Sequence, residues 1–241
     1  MYTLPARPID VASLQRYARF AGVAMLLSIV FGFLGEAYLP GKIMVAGDAA
    51  ATAAHITGNP LLFRLTFAAY LVEGICDVLL CGLFYVLLEP VDRRLALLSA
   101  FFGLASMITY AVSEASFYSA SIVLRESGGM AAFTGDQRNA LALLSMRIAA
   151  TIAWLFLSLY GIASMLRGYL IYRSGYLPRF IGLLLLIGGA GFFLRSTTYL
   201  LAPQYSSQFL LMPMALAGIP LTFWLLVRGV DTSRITADTA L

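Results

Sequence analysis

The sequence predicts an all-α polytopic membrane protein, a bundle of six transmembrane helices joined by short loops. Two observations carry this. Of the 241 residues, 61% are hydrophobic and only 12% charged, and the mean hydropathy is +0.86. Soluble domains carry about twice that share of charge, so a water-facing shell cannot be assembled. The apolar residues also fall into six runs, each at or above the roughly 20 residues a helix needs to cross a bilayer. The whole of 1–241 reads as one integral-membrane domain.

Residues 1–17 are polar and long for the start of a cleavable signal, and are expected to form a cytoplasmic, interfacial lead-in to a retained anchor. The spans follow near 18–39, 61–88, 95–123, 139–166, 180–202 and 209–228, with a cytoplasmic tail at 229–241. Asp48 is placed to cap a short outer helix that Asn59-Pro60 ends. Thr134 with Gln137 three residues later forms a capping-box pattern for the fourth helix, Pro178 suits the first turn of the fifth, and Pro213 opens the sixth. Pro220 beside Gly218 predicts a kink there.

Orientation follows from the basic residues. Arg7, Arg16, Arg19, Arg93, Arg94, Arg167, Arg173, Arg179, Arg228 and Arg234 flank one side, against Lys42, Arg125 and Arg138 on the other. Ten against three predicts that both termini are cytoplasmic.

The blocks NPLLFRLTFAAYLVE, LLEPVDRRLALLSAFF, YLIYRSGYLPRFIG and WLLVRGV together resemble the bacterial domain-of-unknown-function family numbered 4386. The resemblance covers nearly the whole chain. It implies the six-helix fold and a prokaryotic origin only and carries no activity or catalytic residues; the expected location is the bacterial plasma membrane.

The informative chemistry is the set of charges within the spans: Glu36, Arg64, Glu73, Asp77, Glu114, Arg147 and Arg195. A central Arg or Asp costs about 2.5 to 3.5 kcal/mol on translocon scales, so most are expected to face inward or one another. Helical spacing aligns Tyr70, Glu73, Gly74, Asp77 and Cys81 on the second span and Gly103, Ser106, Tyr110, Ser113 and Glu114 on the third. It likewise aligns Asn139, Arg147, Thr151 and Trp154 on the fourth, and Gly188, Gly191, Arg195, Thr198 and Tyr199 on the fifth. By helix rise, Glu114, Arg147 and Arg195 share a layer roughly 10 Å below the outer surface. Arg64 and Glu36, near the outer end, are expected to reach water.

Two readings stay open. In one, Arg147, Arg195, Glu114, Glu73, Asp77, Tyr110 and Tyr199 line a pocket open to the outer face that binds or transports a small anionic or amphiphilic ligand. In the other, the same groups form a closed ion-pair network in a structural or regulatory membrane partner. Acid–base catalysis by Glu73, Asp77 or Glu114 ranks third, and no catalytic residue is assigned. One histidine, His55, and two cysteines five residues apart, Cys76 and Cys81, supply no metal or haem site, so no cofactor is expected. The expected partners are the lipid bilayer and the small ligand, with homo-oligomerisation open and nucleic acid excluded by the topological origin of the basic surplus.

Overall fold

The computed structural model describes residues 11–125 and 127–231; the lead-in at 1–10 and the end of the tail at 232–241 lie outside the described residues. The described elements are α1 (Val11–Gly32), a π-helical segment (Phe33–Tyr38), the short α2 (Pro40–Ile43) and α3 (Ala49–Gly58), and the long α4 (Pro60–Leu88) and α5 (Arg93–Val123). They are followed by α6 (Gly135–Ser174), α7 (Arg179–Leu201) and α8 (Met212–Val227). Six helical segments are long and apolar enough to cross a membrane. All the loops between them are short, as the sequence predicts.

Local chemistry sets the boundaries. The Asp48 side chain accepts from the Ala51 N–H at 2.9 Å and starts α3. Pro60 stands in the first turn of α4, where its missing N–H is no loss. Thr134 and Gln137 form the reciprocal capping box on α6. Thr134→Ala should therefore cost about 1 kcal/mol, read as a lower thermal midpoint in detergent; an unchanged midpoint would mean that α3 alone secures this end. Pro178 precedes α7 as its N-cap residue, one position earlier than expected: its backbone is extended, with φ −67° and ψ 119°, while its carbonyl accepts the first helical bond from the Gly182 N–H at 3.2 Å.

The two ends of the described chain meet. The Gln15 amide donates to the Arg228 carbonyl and accepts from the Val230 N–H, both at 2.9 Å. Nearby, the Tyr176 hydroxyl donates to the Leu87 carbonyl at 2.6 Å and so satisfies an acceptor that the end of α4 leaves open. Burial pushes the Tyr176 phenol well above its ordinary range, which keeps this donor protonated. We call this the near end of the bundle and the opposite one the far end.

Two apolar cores fill the interior. The near one joins Leu14, Ala18 and Ala21 to Leu80, Phe84, Leu87, Leu170, Ile181, Leu221 and Leu225. The far one joins Ile43, Ile56 and Phe63 to Tyr70, Tyr110, Phe117, Met146 and Phe156. Glu73 and Asp77 sit on α4 where one core gives way to the other.

The largest departure from the sequence reading is α6. It runs for 40 residues, about 60 Å, roughly twice the thickness of a hydrocarbon core. Its far third packs against α3: Ala142 and Met146 share a core with Ile43 and Ile56. Its near end carries Arg167, Gly168 and Leu170 into the bundle instead of releasing them into a loop. Arg167 therefore leaves the cytoplasmic count, and nine against three keeps the same sign of asymmetry.

Candidate functional site

A cavity of about 370 Å³ lies between α1, α4, α6, α7 and α8. Its polar lining is Ser28, Glu36, Glu73, Asp77, Tyr160 and Arg167; the rest is apolar, with Met25, Phe33, Phe84, Phe156, Met214 and Ile219 prominent. The opening arises from helix geometry. A Cβ on Gly22 would lie 2.8 Å from the Leu226 N, so α1 and α8 touch backbone to backbone at the near end. Farther along, Ile29, Phe33 and Glu36 on one side and Ala215 and Ile219 on the other are exposed cavity-lining residues, and the gap between them faces sideways.

The π-helical segment after Gly32 shapes this rim. The Leu39 N–H reaches back five residues to the Leu34 carbonyl at 2.9 Å, widening the turn that carries Glu36. Single π turns within α-helices occur frequently at functional sites. Gly32 and Gly35 let the α1 backbone lie against α4: a Cβ on Gly32 would be 2.5 Å from Glu73 Oε1, and one on Gly35 would be 3.1 Å from Tyr70.

Each buried charge has a distinct environment. Glu73, 9% exposed, accepts from the Tyr110 hydroxyl at 2.6 Å. Asp77, 8% exposed, accepts from the Ser28 hydroxyl at 2.7 Å. Arg167 is 5% exposed, with its guanidinium 4.5 Å from the centroid of the Phe84 ring and no hydrogen-bond partner for Nε. Among the described residues the intramembrane charges form no ion pair within 4.0 Å; the pair that does form is Arg93–Glu89 at 3.3 Å, outside the cavity. Asp77 and Arg167 thus line one space without closing on each other.

Several expectations need correction. Arg147 is exposed rather than facing the interior, as is Thr151 on the same stripe. The buried face of α6 instead carries Ala142, Met146, Ala149 and Phe156, because small side chains let α5 and α6 approach closely. Arg147 follows Met146, whose side chain is buried in the core shared with Ile43 and Ile56, and points the other way. Arg195 is buried as expected, but away from the cavity: it lies 4.6 Å from the centroid of Trp154 and 5.6 Å from that of Tyr199 and donates to the Ser206 hydroxyl, while its Nε, like that of Arg167, has no hydrogen-bond partner. Tyr199 stacks on Trp154 at 4.4 Å and lies away from the cavity. Arg147, Arg195 and Glu114 therefore form neither a shared layer of ion pairs nor a common pocket among the described residues.

Of the sequence-stated candidates, Glu73 and Asp77 line the cavity, Tyr110 reaches it through Glu73, and Glu114 opens elsewhere. Sequence reasoning missed Ser28, Tyr160 and Arg167; Glu36, which it placed near the outer end, is exposed and stands at the cavity rim. The signal for Arg167 was present: no proline interrupts the chain before Gly175, whose φ of 74° ends α6. Ser28, Gly32 and Glu36 recur at fourfold spacing in an otherwise apolar run.

Among the described residues, no three His, Cys, Asp or Glu side chains are grouped to hold a metal ion. No curated protein and no solved structure matches the chain. The family profile described as domain of unknown function (DUF4386) matches residues 20–229. A match over that length, together with six membrane-span-like helices, makes the chain a member of the DUF4386 family.

Proposed function

We propose that this protein binds an amphiphilic molecule drawn sideways from the bilayer into the cavity between α1 and α8. The observation that carries this reading is Arg167: a guanidinium 5% exposed, facing the same cavity as Asp77 yet not paired with it. Its Nε has no hydrogen-bond partner and its charge forms no ion pair, which is costly at this burial, and a head group between the two would serve both. Three carboxyl side chains, Glu36, Glu73 and Asp77, line the cavity against one guanidinium. That balance favours a head that both donates and accepts, zwitterionic or hydroxylated, over the plain anion suggested by the arginines in the sequence. The apolar lining suits a chain, since pockets for such ligands are mostly apolar with a few converging polar groups.

The Lys/Arg asymmetry supports both termini facing the cytoplasm of a bacterial plasma membrane. The alternative, polar groups acting as structural glue, draws support from α5 and α6, where Ser99 donates to the Ala163 carbonyl at 2.9 Å and Ser113 to the Ala149 carbonyl at 2.8 Å.

The test is native mass spectrometry of protein purified in mild detergent, with identification of retained lipids. Gly218 lines the cavity and a Cβ there would meet nothing within 4 Å, so Gly218→Phe fills the space without a first clash. Wild type should retain an amphiphile of one head-group class, and Gly218→Phe, Asp77→Asn and Arg167→Gln should retain about tenfold less. Equal retention by wild type and Gly218→Phe would sink the reading, as would a wild type that carries none from any lipid extract offered.

A further inference from the structure

A second hollow, about 380 Å³, lies on the lipid-facing side of α4 and α5, apart from the cavity just described. Tyr70, Met107, Tyr110 and Glu114 are its buried lining, while Leu71 and Ile75 are exposed at its edge. Gly74 keeps it open, because a Cβ at that position would meet nothing within 4 Å. The wall is almost entirely hydrocarbon.

One group does not fit that environment. Glu114 is 9% exposed and its Oε2 has no hydrogen-bond partner. The Tyr110 hydroxyl cannot turn to it without giving up the 2.6 Å bond to Glu73 on the other side of α4. A buried acceptor with no donor costs about 1 to 3 kcal/mol, and little water is available at this depth to supply one. A molecule seated in the groove would supply the missing partner. A carboxylate or phosphate head would bring a charge into an almost wholly hydrocarbon groove whose lining holds no cation, and a pure hydrocarbon would leave Oε2 unsatisfied.

We propose that the α4/α5 groove is a binding site for a membrane-dissolved amphiphile with a hydrogen-bond-donating hydroxyl head, seated against Glu114 with its apolar body along Leu71, Gly74 and Ile75. The site does not depend on occupation of the central cavity, although Tyr110 forms part of its wall and bonds Glu73 within that cavity.

The experiment uses the full chain in nanodiscs and two photoactivatable diazirine probes: an analogue of 1-hexadecanol and its methyl ether, which keeps the chain and removes the donor. Labelled peptides are mapped by mass spectrometry. The alcohol should label the stretches 67–79 and 107–114 at least fivefold more than the ether. Gly74→Phe, which fills the groove, and Glu114→Leu, which removes the acceptor, should abolish that excess. Glu114→Gln, which keeps a carbonyl acceptor, should retain it, and so should Gly218→Phe in the central cavity. Equal labelling by the two probes would mean ordinary lipid contact and overturn the proposal. An excess that survives Gly74→Phe, or cross-links showing a second copy of the chain on this face, would overturn it as well. Because Gly218→Phe affects only the central cavity, failure here and failure of the central reading are told apart.

Discussion

Arg167→Ala should lower the stability of the purified protein by about 3 kcal/mol, whereas Arg147→Ala should change it by less than about 0.5 kcal/mol. The sequence reads the two the other way round, Arg147 as an inward-facing charge within the fourth span and Arg167 as a flanking residue beyond its end. In the structure Arg147 is exposed and its removal leaves no void. Arg167 is packed on Phe84 at 4.5 Å, and a Cβ added to Gly103 would lie 3.9 Å from its Nη2, so several helices close around it. Truncation to alanine loses the cation–π contact, opens a void and leaves Asp77 without its nearest countercharge. Arg167→Met restores much of the stem that covers the interior and should recover part of the loss. Denaturation in a mild detergent with an increasing fraction of sodium dodecyl sulfate measures all three. A cost for Arg147→Ala equal to that for Arg167→Ala would refute this assignment of the interior face of α6.

A second large effect is expected at the α6–α7 seam. A Cβ on Gly168 would lie 2.5 Å from the Leu186 N and 2.7 Å from the Gly182 carbonyl oxygen, and one on Gly161 would lie 2.7 Å from the Gly189 carbonyl oxygen. These neighbours are backbone and cannot rotate away. Gly168→Leu must push the two helices apart, costing at least the 1 to 3 kcal/mol typical of overpacking and breaking contacts along the seam. Gly82→Leu is the control, since a Cβ at Gly82 meets nothing within 4 Å. Gly168→Leu should give little monodisperse protein on size-exclusion chromatography, while Gly82→Leu should behave like wild type. A normal yield and midpoint for Gly168→Leu would show that the seam tolerates separation.

Glu73 and Asp77 were legible as a pair because their four-residue spacing places both on one face of α4, and that face is buried. The same rule misjudged α6. It assigned the polar stripe through Arg147 and Thr151 to the interior, although the packed face there is made of alanines, Met146 and Phe156. Polarity is a sound guide to direction only where a residue is deep in the hydrocarbon, and the depth of Arg147 depends on how far α6 extends past the bilayer. The hydropathy pattern cannot give that length, because a charge such as Arg167 reads as a span end whether it emerges into water or turns into a neighbour.

What the sequence by itself determined was the class of structure and its local punctuation: six apolar segments, the capping box at Thr134, the cap at Asp48 and the buried face of α4. These follow from hydrophobicity and from hydrogen bonds between residues within four positions of one another, so one chain segment contains all the information. The cavity was decided only by tertiary structure. Ser28, Asp77 and Arg167 belong to three helices and line one cavity because α1 and α8 touch at Gly22 and separate beyond it, while α6 continues about two turns past its apolar run. Which groups pair is likewise a matter of distances between helices, and those are fixed by where small residues let backbones approach. Arg195, the more conspicuous candidate in the sequence, packs against Trp154 and Tyr199 and bonds Ser206 away from the cavity, whereas Arg167, packed on Phe84, faces a space that its own helix could not have specified.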